Sequence, residues 1–296
     1  MWIPFVLAST LCWALINVLD SVIVHNYEKH PVVLMWCQSF FSVVLLLVLP
    51  FFIDLHSSPW IPYLMLFGAI GLLGDFWFFH VLDHVDVSIT NAAWAILSLF
   101  LSIAGFIFFQ ESWTLLQSTG AALIIGGSLY LAFSHKHISM RRTLGLLMTL
   151  ALLYTPYYIM KKTAIDAGEG AAQTFYWMIL GREILAFNVP WFIPSIRSRG
   201  LTLLRSSWGF SVFNGAVILC FFLGEFLGAL AYNMGPLSLV SIVGNTQPFM
   251  VMALAWLSIR SFPGRAPREL LTRQAVSVKL FSFCIMFFGL MLLTTG

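Results

Sequence analysis

Charge is scarce in this 296-residue sequence: Asp, Glu, Lys and Arg together make up 9% of it. A soluble domain carries roughly 25% charged residues and needs polar groups to cover its surface. The shortage excludes a soluble enzyme and a disordered tail. A net charge of only +3 leaves no basic field for nucleic acid. Cysteine is sparse too. Cys12, Cys37, Cys220 and Cys284 lie inside apolar runs without Cys-x-x-Cys spacing, so no disulfide framework and no metal centre is expected. The His-Glu-x-x-His and Gly-x-Ser-x-Gly motifs are missing, which speaks against an intramembrane enzyme, and no cofactor is expected. The first apolar run, Trp2 to Leu19, has no Lys or Arg before it, so it reads as a spanning helix rather than a signal peptide.

What is present is apolar. Hydrophobic residues make up 60% of the chain, and its mean hydropathy is +0.91. A bilayer core of about 30 Å takes roughly 20 such residues as helix. Polar, Pro and Gly punctuation marks off ten segments: 2–24, 32–53, 61–82, 87–109, 115–133, 143–162, 172–193, 207–232, 237–259 and 276–294. Continuous runs such as Leu45-Leu46-Leu47-Val48-Leu49 are unlike the alternating strands of a membrane β-barrel. The expected fold is an all-α membrane protein of ten transmembrane helices with short loops.

Lys and Arg in short loops orient such a chain. Lys29, Lys136, Arg141, Arg142, Arg197, Arg199, Arg205, Arg260, Arg265, Arg268 and Arg273 follow odd-numbered segments, and only Lys161 and Lys162 follow an even one. The bias places both termini outside the cytoplasm, in a multi-pass protein of the plasma (inner) membrane.

Ten segments divide into two fives. At an offset of 141 residues, Trp13, Asn17 and Asp20 fall on Tyr154, Tyr158 and Lys161, and Trp36 falls on Trp177. At 150, Gly74-Asp75-Phe76 falls on Gly224-Glu225-Phe226, Ser88 on Ser238 and Ser98 on Pro248. At 162, Gln117 falls on Lys279 and Gly127 on Gly289. The matches are collinear, so residues 1–134 and 143–296 read as two repeats. An odd number of spans per half makes them inverted, an arrangement typical of transporters with a midplane site between the halves.

The run Trp13-Ala14-Leu15-Ile16-Asn17-Val18-Leu19-Asp20 and the stretch from Glu111 through Leu115-Leu116-Gln117-Ser118-Thr119-Gly120 to Gly127 resemble the EamA-like branch of the drug/metabolite transporter superfamily. Tyr232 to Pro248 echoes it in the second half. The resemblance implies a ten-helix carrier of small metabolites, nucleotide sugars, amino acids or amines, and efflux as its direction. Three features depart from the family pattern. Ser98 stands where the second half has Pro248, and Ser21 stands where a basic residue often follows the first motif. Family members also usually keep both termini in the cytoplasm.

An ionisable group in mid-membrane costs several kcal/mol and calls for a reason. Asp75 and Glu225 lie deep in the third and eighth segments as repeat counterparts. They are candidates for proton or charge coupling, because a carboxyl group taken out of water holds a proton more readily; His80, about a turn beyond Asp75, extends that path. Candidate substrate-binding residues are Asn17, Asp20, Trp36, Gln38, Asp75, Asn91, Trp94, Tyr154, Tyr158, Glu225, Asn245 and Gln247. Asn17 and Asp20 share a helix face. Pro248 frees the carbonyl of Gly244, so Asn245 and Gln247 flank a broken-helix pocket. Each of these residues has a plain alternative as a helix-packing or hydrogen-bonding group. Arg182 and Glu183 are neighbours pointing about 100° apart, which makes their mutual pairing awkward; Arg182 is expected to neutralise a buried acid. Glu111 is expected to cap the fifth segment.

The leading expectation is a secondary transporter for a small metabolite such as an amino acid or amine, working by alternating access with proton coupling, as a monomer or homodimer in the bilayer. A lipid or lipid-linked-sugar flippase is the alternative, and an intramembrane enzyme a distant third.

Overall fold

Backbone in lipid has no water to bond, so the apolar runs satisfy their own N–H and C=O groups as helices. The computed structural model describes residues 2–84, 93–133, 140–261 and 273–295, and every regular element among them is helical. The first half holds α1 (Ile3–Asn26), α2 (Pro31–Val48), α3 (Ile61–His84), α4 (Ala93–Phe108) and α5 (Leu115–Phe133). The second holds α6 (Met140–Ala164), α7 (Ala171–Asn188), α8 (Pro194–Ser206), α9 (Trp208–Met234), α10 (Leu237–Gly244), α11 (Gln247–Ser261) and α12 (Arg273–Thr295).

Local chemistry sets the ends. Proline opens α2 and α8, where its missing N–H has no partner to lose. Thr114 and Gln117 form a reciprocal capping box before α5, with N–H donors at 3.0 and 3.2 Å. The expectation that Glu111 caps this helix is corrected: the box occupies that place, and Glu111 reaches elsewhere. The chain leaves α6 through a widened turn, Ile165–Glu169, and reverses at Gly168 and Gly170, whose φ of 97° and 73° suit glycine.

Polarity is arranged inside out. Asn17, Asp20, Lys161, Glu183 and Glu225 are buried, while Leu47, Phe51, Ile107, Leu219 and Phe288 face outward. Among the described residues, six helical stretches are long and apolar enough to cross a bilayer, from Ile3–Asn26 to Leu237–Ser258, and three further apolar helices are shorter. This is a multi-pass membrane protein. α8 is different: it is short, carries Arg197, Arg199 and Arg205, and lies against α2, with Gly200 beside Trp36 and Cys37.

The packing has a two-fold pattern. α1 lies on α9 as α6 lies on α3; α4 lies on α6 as α1 meets α10 and α11. α2 meets α7, α4 meets α10 and α5 meets α12, each pair joining corresponding parts of the two halves. Where α3 crosses α7 the backbones touch: a Cβ on Gly68 would stand 1.9 Å from the Met178 carbonyl oxygen, and one on Gly181 2.1 Å from that of Met65. Glycine at both places allows the approach that brings Asp75 to Arg182.

Candidate functional site

The site is organised by one stretch of α6, Tyr154-Thr155-Pro156-Tyr157-Tyr158. Its tyrosines lie against α3, where Gly71 and Gly74 leave room; a Cβ on either would come within 2.9 Å of the Tyr157 or Tyr154 ring. The Tyr154 hydroxyl donates to Asp75 Oδ1 at 2.5 Å, and the Tyr157 hydroxyl to Glu225 Oε2 at 2.7 Å. Three residues of helix separate these tyrosines, a rise of about 4.5 Å, so α6 carries the two acids on one side of the bundle interior.

Each acid has a cation. Lys161 Nζ lies 2.5 Å from Glu225 Oε2, with the side chains 1% and 4% exposed, and stands over the Tyr157 ring at 4.5 Å. Arg182 Nε lies 2.5 Å from Asp75 Oδ2, and its guanidinium sits 4.5 Å from the centre of the Phe221 ring. Arg182 Nη1 also contacts Glu183 Oε1. Two sequence expectations change here. Arg182 pairs with its own neighbour, because the long side chain folds back along α7. Lys161 is no loop cation but the partner of Glu225; Lys162, one residue on, bonds the Tyr232 carbonyl at 3.0 Å and Asp166 at 2.7 Å.

Between the halves lies a cavity of about 100 Å³ walled by aromatic rings and by Asp75, Arg182, Glu225 and Lys161. A side chamber of about 30 Å³ adjoins it, lined by Asn17, Asp20 and Gln38. Trp13, Asp75, Trp94, Tyr154, Arg182 and Phe221 line both spaces and form the wall between them. Opposite α6 the ninth sequence segment breaks into α10 and α11 at Asn245-Thr246. Pro248 has no N–H to continue the ladder, and Gly244 and Gln247 at the break face the cavity. Ser98 holds the break from α4, donating to the Ser241 carbonyl at 2.8 Å and accepting from Asn245 Nδ2 at 2.9 Å. Gln247 is 6% exposed and its Nε2 has no partner among the described residues.

Of the residues singled out from sequence, Asp75, Trp94, Tyr154, Tyr158, Glu225 and Gln247 line the cavity, and Asn17, Asp20 and Gln38 the side chamber. Asn245 stands behind the wall, supporting Ser98. Trp36 is elsewhere: it is fully buried, its indole N–H donates to the Phe187 carbonyl at 3.1 Å, and its ring packs edge-on against Trp191. His80 lines neither space and lies against the Trp77 ring. Asn91 falls outside the described residues. Lys161, Tyr157 and Ser98 belong to the site but were not singled out as binding residues. Their signals were present: Lys161 aligns with Asp20, Tyr157 follows Pro156, and Ser98 aligns with Pro248.

Residues 1–133 match the model of the EamA-like transporter family. The match takes in the Trp13–Asp20 and Glu111–Gly127 segments that carry the resemblance. The match points to a membrane transporter of the drug/metabolite kind. No curated protein matches the chain. Twenty-eight chains of solved structures do. One of these, titled only "Crystal structure of protein", aligns over 95% of this chain and 98% of its own length, with a TM-score of 0.59 and 12% identity. At that identity the likeness is one of fold.

Proposed function

We propose that this protein is a secondary transporter, built as ten spans in two inverted five-helix repeats over residues 1–134 and 143–296, that exports a small zwitterionic metabolite such as an amino acid by alternating access. The two-fold pattern of helix contacts and the collinear sequence offsets support the inverted repeat. The observation that carries the substrate class is the balance of charge in the cavity wall. Asp75 and Glu225 are matched there by Arg182 and Lys161. Such a wall suits a solute with one charge of each sign, which exchanges partners with a pair rather than adding an unmatched charge. A bare cation or a diphosphate leaves one charge unmatched in a place of low dielectric. The free amide of Gln247 and the broken-helix carbonyl of Gly244 add a donor and an acceptor for the same solute, and Trp94, Tyr154 and Tyr158 hold its apolar part.

Purified protein in liposomes, loaded in turn with amino acids, amines and nucleotide sugars, tests this. Zwitterions are expected to exchange across the bilayer, and Gln247→Met to reduce that exchange while leaving the protein folded, since the Nε2 it removes has no partner among the described residues. Preferential movement of nucleotide sugars, or lipid scrambling with no soluble solute moved, overturns the reading.

A further inference from the structure

Four carboxylates stand in or behind the walls of the two chambers, and they are not equivalent. Glu225 has Lys161, and Asp75 and Glu183 share Arg182. Asp20, 3% exposed, has no cation within ion-pair reach among the described residues; its Oδ1 accepts from Gln38 Nε2 at 3.0 Å. The polar groups that face the side chamber from outside α1 come from four helices. α2 offers Gln38, α3 offers Asp75, α6 offers Tyr154 and α7 offers Arg182, while α4 and α9 offer only Trp94, Val217, Ile218 and Phe221.

The repeat sharpens the contrast. Exchange of the halves carries Asp20 onto Lys161 and Asp75 onto Glu225. The second half holds a cation beside its acid at these positions; the first half holds two acids. Asp75 takes the nearby cation, Arg182, and Asp20 is left as the unmatched acid of the first half. An unmatched carboxylate out of water is among the costliest buried groups, and a proton removes that cost. The side chamber is roomy enough for a water molecule, and its wall toward the main cavity includes Asp75 and Arg182.

We propose that Asp20 is a proton-binding residue, seated in the side chamber and separate from the solute cavity, whose proton governs how Arg182 divides between Asp75 and Asp20. With the proton on, Asp20 is a neutral hydrogen-bonding partner and Arg182 stays on Asp75. When the proton leaves to water, the new carboxylate competes for the guanidinium and frees Asp75 toward the solute. This reassigns coupling from Asp75 and Glu225, whose charges are already matched. The consequence for transport rests on the function proposed above; the proton site does not.

The experiment is infrared difference spectroscopy of the full chain in lipid nanodiscs, titrated with acid and base, so that the proton itself is the probe. A carboxyl C=O band is expected to titrate in the wild type, to be lost in Asp20→Asn and to persist in Glu225→Gln. The Asn variant keeps an acceptor for Gln38. Asp20→Glu, which retains an acid on a longer arm, is expected to keep the band and move its midpoint. A band that survives Asp20→Asn at full size, or a midpoint unmoved in Asp20→Glu, overturns the proposal. In liposomes, Asp20→Asn is expected to lose the stimulation of solute counterflow by a pH gradient; retained stimulation also overturns it. An Asp20-dependent band in a protein that moves no solute upholds the proton site and sinks the transporter reading instead.

Discussion

Glu111 and Ser238 join the two halves of the chain at one face of the bundle. The Glu111 carboxylate accepts from the backbone N–H of Ser238 at 3.1 Å and of Leu237 at 2.5 Å, and the Ser238 hydroxyl donates to it as well. Trp113 completes the arrangement, its indole N–H donating to Ser238 Oγ at 3.0 Å. A carboxylate from the end of α4 thus caps the first turn of α10, where orphan N–H groups and the helix dipole favour negative charge. Glu111→Gln removes the charge but keeps an acceptor, and is expected to cost about 1–2 kcal/mol. Thermal unfolding in detergent, followed by loss of the monodisperse peak, measures it. Gln117→Ala, at the exposed capping box of α5, is the comparison and is expected to cost less. Equal midpoints for wild type and Glu111→Gln rule out the cap.

The crossing of α3 on α7 gives a second expectation. At Gly68 and Gly181 an added Cβ meets backbone, which has nowhere to go, so Gly68→Ala and Gly181→Ala force the helices apart. Overpacking of this kind costs about 1–3 kcal/mol or more. At Gly126 a Cβ meets nothing within 4 Å, and Ala there is expected to be neutral or to stabilise α5 by up to about 1 kcal/mol. Folded yield after extraction and the unfolding midpoint separate the two cases. A Gly68→Ala protein as stable as Gly126→Ala contradicts the close crossing.

Much of this architecture was legible in the sequence for a simple reason. The bilayer demands long apolar runs, and polar residues inside them stand out. The helical stretches fall where those runs lie, and Asp75, Glu225 and Gln247 stood out as candidates because each is expensive in lipid. What the sequence hid was who answers whom. Lys161 lies at the end of an apolar run, where a loop cation and a buried counter-ion look the same; only the fold places it on Glu225. Glu111 sits just before a helix start, so the nearest helix is the natural guess, whereas its partner is 126 positions away. Trp36 shows the opposite limit: it stood among the candidate binding residues, yet its indole N–H is bonded to the Phe187 carbonyl away from both chambers.

The Lys161–Glu225 pair yields the last prediction. Both side chains are almost wholly enclosed, so their attraction is set against a large desolvation cost, and the net worth of the pair is small even though each half of it depends on the other. Lys161→Met leaves Glu225 with the Tyr157 hydroxyl as its remaining bonded partner among the described residues; breaking a buried pair in this way costs about 3–5 kcal/mol. Glu225→Gln leaves Lys161 buried with the Tyr157 and Tyr158 rings beside it, and is expected to be destabilising as well. The double variant Lys161→Met with Glu225→Gln removes both charges and is expected to recover most of the loss, a non-additivity that a double-mutant cycle of unfolding midpoints reads directly. Solute exchange separates structure from function in the same proteins. If the pair serves only packing, the double variant regains transport along with stability. If the balanced charges meet the solute, stability returns and transport does not.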